Sequence, residues 1–219
     1  MRLTPSPVRR STPPGGFSLL ELMIGITVGL FILLGASSLM VSQIGDHRRL
    51  ALETRTEQDV RAVAELVARD LKNAGGWADA MKGVWTESNA APLANPNGTI
   101  QILDGGSTVL YRTRLGNAGF KRDGQQMRRL DLGNWQPMTD PETVKITVFN
   151  VTANTHTQML DSTCALPCDG LADCPPEATI RELRVQLEAE ATHDARVQRK
   201  LDFTVRLQGD VLKGVCRGA

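Results

Sequence analysis

From Leu22 to Gly45 the chain carries 24 consecutive uncharged residues, LMIGITVGLFILLGASSLMVSQIG. At a rise of about 1.5 Å per residue a helix of that run reaches roughly 36 Å, enough for a hydrocarbon core of about 30 Å. Arg2, Arg9 and Arg10 precede it with no acid among the first 16 residues. The positive-inside rule therefore places Met1 in the cytoplasm and the bulk of the chain outside it. The charges agree with this division. The chain holds 25 Lys+Arg against 24 Asp+Glu, and beyond residue 16 the balance is 22 basic against 24 acidic. No basic field points to nucleic acid. The total of 219 residues, 41% of them hydrophobic, suits one ordinary domain with an appendage. A cleaved secretory signal is one competing reading, with an apolar core of about 7–15 residues and Ala36-Ser37-Ser38 as its cleavage site. A plain uncleaved anchor is another.

Neither competitor accounts for the near border of the run, Pro13-Pro14-Gly15-Gly16-Phe17-Ser18-Leu19-Leu20-Glu21. Two glycines after two prolines predict an extended, unhindered backbone that a protease can hold as a strand. Glu21 sets a carboxylate at the edge of an apolar helix. Near a bilayer centre such a charge costs about 2.5–3.5 kcal/mol, which makes it a functional residue by default; snorkelling to the interface is the bland alternative. Residues 16–23, GFSLLELM, followed by the apolar run, resemble the prepilin signature of type IV pilins and type II secretion pseudopilins. The resemblance implies cleavage between Gly16 and Phe17 by a prepilin peptidase, N-methylation of Phe17 by the same peptidase, and an assembly role for Glu21. Cleavage leaves an ammonium on Phe17. If the apolar helices pack into a filament core, that ammonium and the carboxylate of a neighbouring Glu21 offset each other's burial. Where many major pilins carry a helix proline, this chain has Gly35-Ala36-Ser37-Ser38, so any bend would be soft.

Beyond the run, residues 46–59 are polar helix formers, and Val60, Val63, Ala64, Val67, Leu71 and Ala74 recur at helical spacing. Asn73-Ala74-Gly75-Gly76 supplies a stop. One helix from about Ser18 to Ala74 is predicted. Its closing run, Arg69-Asp70-Leu71-Lys72-Asn73-Ala74-Gly75, is similar to the PilW group of minor pilins and its secretion counterpart, the J-type pseudopilin.

The remaining residues read as a β-rich head. Strands are expected at Thr99–Leu103, Thr108–Arg112, Met127–Leu132 and Thr143–Val151. Leu183–Ala189 and Leu201–Leu207 alternate apolar and polar residues and predict an antiparallel hairpin across Glu190 to Lys200. A long helix packed on such a sheet is an α+β, type IV pilin-like fold. The expected organisation is a leader at 1–16, a membrane or filament-core helix at 17–45, its amphipathic continuation at 46–76, and a head at 77–219.

Cys164, Cys168, Cys174 and Cys216 all lie in the exported part, where disulfides persist. Their spacing does not resemble paired C-x2-C zinc knuckles, so no metal is expected. Three connectivities stay open; a local Cys164–Cys168 bridge with Cys174–Cys216 closing the longer loop is the one favoured. No catalytic motif appears. His47, His156 and His193 read as solvated, and Ser107 after Gly105-Gly106 has no nucleophile-elbow context. Trp77, Trp85 and Trp135 read as packing residues, and Lys121-Arg122 with Arg128-Arg129 is too short a basic run for DNA.

The resemblance thus implies a non-enzymatic, cofactor-free minor pilin in pilus assembly or priming. It would sit in the bacterial inner membrane with its head in the periplasm and enter the pilus on assembly. Implied partners are the prepilin peptidase, other minor pilins, the major pilin, the inner-membrane assembly platform and a tip adhesin. A J-type pseudopilin of a type II secretion system is the alternative, and a tethered periplasmic binding or enzymatic domain is the alternative of another class.

Overall fold

The computed structural model describes residue 16 and residues 18–85, 90–168 and 173–216, which fall into two compact units, Met1–Arg49 and Leu50–Ala219. One helix, α1, runs from Leu19 to Lys72 and contributes to both. It starts and stops within two residues of the predicted limits, and no break occurs at Gly35-Ala36-Ser37-Ser38.

In the first unit α1 is long and apolar enough to cross a membrane, and none of its apolar window is buried. Large side chains from Leu19 to Ile44 stand in the open; Phe31 is 76% exposed and Leu39 68%. Thr27 returns its hydroxyl to the Met23 and Ile24 carbonyls, at 3.1 and 2.9 Å. That satisfies a polar group which would otherwise be stranded in lipid.

In the second unit the helical stripe behaves as its spacing requires. Val60, Val63, Ala64, Val67 and Leu71 are buried, and Leu71 and Ala74 are fully inaccessible. The stripe begins one turn earlier than expected, at Thr56, whose hydroxyl donates to the Leu52 carbonyl at 2.8 Å. Against it lie two antiparallel sheets. The first is a five-stranded meander, β1 (Ile100–Leu103), β2 (Thr108–Thr113), β3 (Gly116–Asp123), β4 (Gln126–Asp131) and β5 (Asn134–Pro137), in sequential order. The second orders β6 (Val144–Met159), β7 (Glu177–Ala191) and β8 (Asp194–Arg206), with short β9 (Val211–Lys213) on β7. Val109, Phe120 and Met127 from the first sheet join Ile146, Val151, Leu183 and Leu187 from the second in one core with the helix. Each such side chain contributes about 1.5–3 kcal/mol of burial. The fold is α+β and pilin-like.

Several sequence expectations need correction. β3 and β5 have no counterpart among the strands expected from sequence, because Gly116-Asn117-Ala118-Gly119 dilutes the strand pattern and β5 is four residues ending on Pro137. Asp123-Gly124 and Leu132-Gly133, with Gly124 at φ 61° and Gly133 at φ 86°, mark the two hairpin turns and were the available signal. The β7–β8 hairpin is real, but its strands run on to Ala191 and from Asp194, so the polar run Thr192-His193 is the whole turn. β6 likewise extends eight residues past its predicted end at Val151.

Candidate processing and assembly site

The border of the apolar helix is the one place where the sequence concentrates unexplained chemistry. Gly16 is exposed, and a Cβ built on it would meet nothing within 4 Å. Among the described residues nothing packs against it. Pro13, Pro14, Gly15 and Phe17 lie outside the described residues, as does the rest of the leader. Ser18 stands immediately before α1, and its carbonyl accepts the first intrahelical bond, from the Leu22 N–H at 3.1 Å. Glu21 is in the first turn and exposed. A carboxylate there faces the partial positive charge of a helix N-terminus. Around it Leu19, Leu20, Leu22 and Met23 are 59–77% exposed. The arrangement offers a single acid set in an uncovered apolar surface.

The Arg69–Gly75 run that closes the helix has a structural job. Asp70 accepts from Arg129 Nε of β4 at 2.8 Å, with only 14% of its side chain exposed. Leu71 and Ala74 are core. Gly75 adopts φ 79°, a conformation L side chains rarely take. Its N–H reaches the Arg112 carbonyl at 2.8 Å, while Asn95 and Asn97 donate to the Gly75 and Gly76 carbonyls at 2.7 and 2.8 Å. The helix end is therefore laced to β2 and to the loop before β1. Beside it Tyr111 is buried, and that burial, reinforced by the Asp70 charge, holds its hydroxyl well above the usual tyrosine range. It stays a phenol.

The cysteines correct the favoured pairing. The bridges are Cys164–Cys216 and Cys168–Cys174, each with Cα atoms 5.2 Å apart. Strand register explains this. β6 and β7 bring Met159 opposite Glu177, so the connection between them starts and ends side by side, and β9 lays Lys213 beside Glu177 on the other side of β7. The inner pair closes the loop on itself, while Cys164 on its outgoing limb meets the C-terminal segment. The Sγ atoms of Cys164, Cys168 and Cys174 lie within 4.8 Å of one another, but all four cysteines are disulfide-bonded.

The other sequence candidates disperse. His47, His156 and His193 are exposed and sit on α1, β6 and the β7–β8 turn. Ser107 returns its hydroxyl to the Asp104 carbonyl at 3.0 Å. Lys121 and Arg128 both pair with Asp123, at 3.5 and 3.3 Å, and Arg129 is taken by Asp70. The basic run is thus largely neutralised within the head. Lys121 also lies 4.8 Å above the Trp135 ring. Trp85 donates to the Gly214 carbonyl at 2.6 Å and holds the C-terminal segment, and Trp77 packs over Gly83. The three tryptophans are half-buried packing residues at the edge of the head.

Among known proteins, the family described as prepilin peptidase-dependent protein B matches residues 49–207. The chain matches no curated protein and no solved structure. The family match rests on the head and the polar half of the helix, and begins well after the Gly16–Glu21 border that points to the same peptidase. On these grounds the chain belongs to the prepilin peptidase-dependent protein B family, a type IV pilus- or pseudopilus-related group, and carries an N-terminal helix fit for a single-pass anchor.

Proposed function

We propose that this chain is a non-catalytic minor pilin of a type IV pilus, cleaved after Gly16, methylated on Phe17 and then handed from the inner membrane into a filament. In this reading the head lies in the periplasm, and the chain acts in assembly or priming with other minor pilins, the major pilin, the assembly platform and a tip adhesin. The observation that carries it is Glu21, an exposed acid in the first turn of a helix whose apolar side chains are uncovered through Ile44. In lipid the apolar surface is solvated but the acid is not. In a filament both find partners, the apolar faces each other and Glu21 the new ammonium of a neighbour. The PilW-like closing run of the helix supports minor rather than major status.

The pseudopilin reading differs in outcome rather than in chemistry: deleting the gene would abolish secretion of an exoprotein and leave surface pili intact. The tethered-domain reading keeps Met1. Intact mass of the membrane-extracted protein tests processing, with Phe17 bearing one methyl group as the expected N-terminus. Glu21→Ala is expected to insert and be cleaved normally while its amount in sheared filaments drops at least tenfold. Full retention of the first 16 residues in peptidase-positive cells, or normal incorporation of Glu21→Ala, would sink the proposal.

A further inference from the structure

The two sheets end in five border strands, and four of them are protected against pairing with other chains; β9 is only three residues long. β1 is four residues long, and β5 is four residues long and ends on Pro137. β8 carries Asp194, Arg196, Arg199, Lys200, Asp202 and Arg206 along thirteen residues. Short length, proline and charge are the devices that keep sheet edges solitary. β6 is different. Over 144–151 it alternates buried residues, and the Ile146 N–H there donates to the Gln125 carbonyl at 2.9 Å. Over 152–159, Thr-Ala-Asn-Thr-His-Thr-Gln-Met, all eight positions are exposed. This half holds no Asp, Glu, Lys, Arg, Pro or Gly, and three of its residues are β-branched threonines. It pairs with residues 177–184 of β7, and among the described residues no strand pairs with its other side.

We propose that residues 152–159 of β6 form a docking edge, to which another pilin-type subunit adds an uncharged, extended strand of its own. The partner's character follows from the edge. A row of backbone N–H and C=O groups at strand spacing is complemented by another extended backbone. The neutral edge offers no counter-charge to an acidic or basic segment, and threonines opposite β-branched or aromatic residues are favourable cross-strand pairs. A hollow of about 260 Å³ lined by Asn154, His156, Ile180 and Glu182 lies on one face of the same ribbon. It can take a side chain of the added strand, so that main-chain bonds supply affinity and the hollow supplies selectivity. The choice of a pilin-type subunit as donor rests on the assembly role proposed above.

The test uses the full-length chain expressed in its own cells. The double variant Ala153→Lys, Thr155→Lys places two lysines on an exposed face of β6, where the fold does not resist them. It is expected to keep wild-type membrane level, leader cleavage and thermal midpoint, and to fall at least tenfold in sheared filaments. Gln198→Lys on exposed β8 is expected to incorporate normally. A photoreactive residue at Thr155 is expected to cross-link to one contiguous extended segment of another pilin-type subunit, and the same residue at position 198 is not. Incorporation of the double lysine variant at the wild-type level overturns the docking edge. So does a cross-link pattern at 155 indistinguishable from that at 198. Cross-links confined to copies of this chain overturn the stated occupant in favour of a second copy. If Glu21→Ala also incorporates normally, the assembly role itself has failed; if only the lysine variant does, the docking edge alone has failed.

Discussion

Arg129 on β4 donates through Nε to the carboxylate of Asp70 near the end of α1 at 2.8 Å, across 59 residues of chain. The Asp70 side chain is 14% exposed and that of Arg129 36%, so the pair is partly withdrawn from water. It ties the last turn of the helix to the first sheet, next to buried Tyr111. Removing Asp70 leaves a half-buried guanidinium without its acceptor. Asp70→Ala is expected to destabilise the head by about 2 kcal/mol, the scale of a charged hydrogen bond. Urea unfolding of the detergent-solubilised protein reads this, and a double-mutant cycle with Arg129→Ala isolates the coupling. A coupling indistinguishable from zero would show that the pair is incidental.

Acid sensitivity should follow two carboxylates. Hydrogen bonds from Arg61, and next from Arg199 on β8, hold Glu57 below its ordinary pKa of 4.5. A hydrogen bond from Arg184 does the same for Asp202 against 3.8. Both folded values are depressed, so the stability they contribute is complete above those ordinary values and is lost as pH falls through the lower folded ones. Glu57 is half-buried and Asp202 exposed, and both stay open to solvent screening, so the effect is small and salt-dependent. The unfolding midpoint of the Glu57→Gln, Asp202→Asn variant is expected to fall less steeply below about pH 4.5 than that of the wild type. Parallel curves would assign the acid response to other groups.

The disulfides should differ in weight. Cys164–Cys216 spans 52 residues and Cys168–Cys174 spans 6. Loop-entropy scaling gives about 4 kcal/mol for the first and about 2 kcal/mol for the second. Replacing each pair by serine and comparing denaturation midpoints tests this ranking, and non-reduced peptide mapping of the wild type tests the pairing. Recovery of a Cys164–Cys168 peptide would restore the arrangement favoured from sequence.

Gly119 in β3 is set by a neighbouring strand rather than by its own torsions. A Cβ there would sit 2.5 Å from the Val109 carbonyl oxygen and 2.7 Å from Leu110 Cδ2. The carbonyl belongs to β2, which pairs Leu110 with Gly119 itself, so it has little room to retreat. Gly119→Ala is expected to cost about 1–3 kcal/mol, as overpacking does. Gly124→Ala, with open space around it but φ 61°, is expected to show only the smaller penalty of a left-handed alanine. Equal thermal midpoints for Gly119→Ala and the wild type would contradict the close approach.

Local pattern carried the parts of this protein whose physics is local. An uncharged run of 24 residues needs no partner to declare itself, and the 3–4 residue recurrence from Val60 to Ala74 names the buried face of α1 before any sheet is known. The signature around Gly16 and Glu21 is equally short in range, because it lies within a few consecutive residues. Distant pairings were a different matter. Which cysteine meets Cys216 depends on β6–β7 register and on where β9 lands, and the spacing C-x3-C-x5-C is compatible with every pairing. Asp70 and Arg129 each look like ordinary surface charges in their own segments. Among the described residues the last eight residues of β6 pair on one side only, whereas every other border strand is short, interrupted or charged, and no local pattern shows this. Such properties belong to the arrangement of strands in space, since hydrogen bonds and disulfides between remote segments form only after the core of α1 and two sheets has brought them within reach.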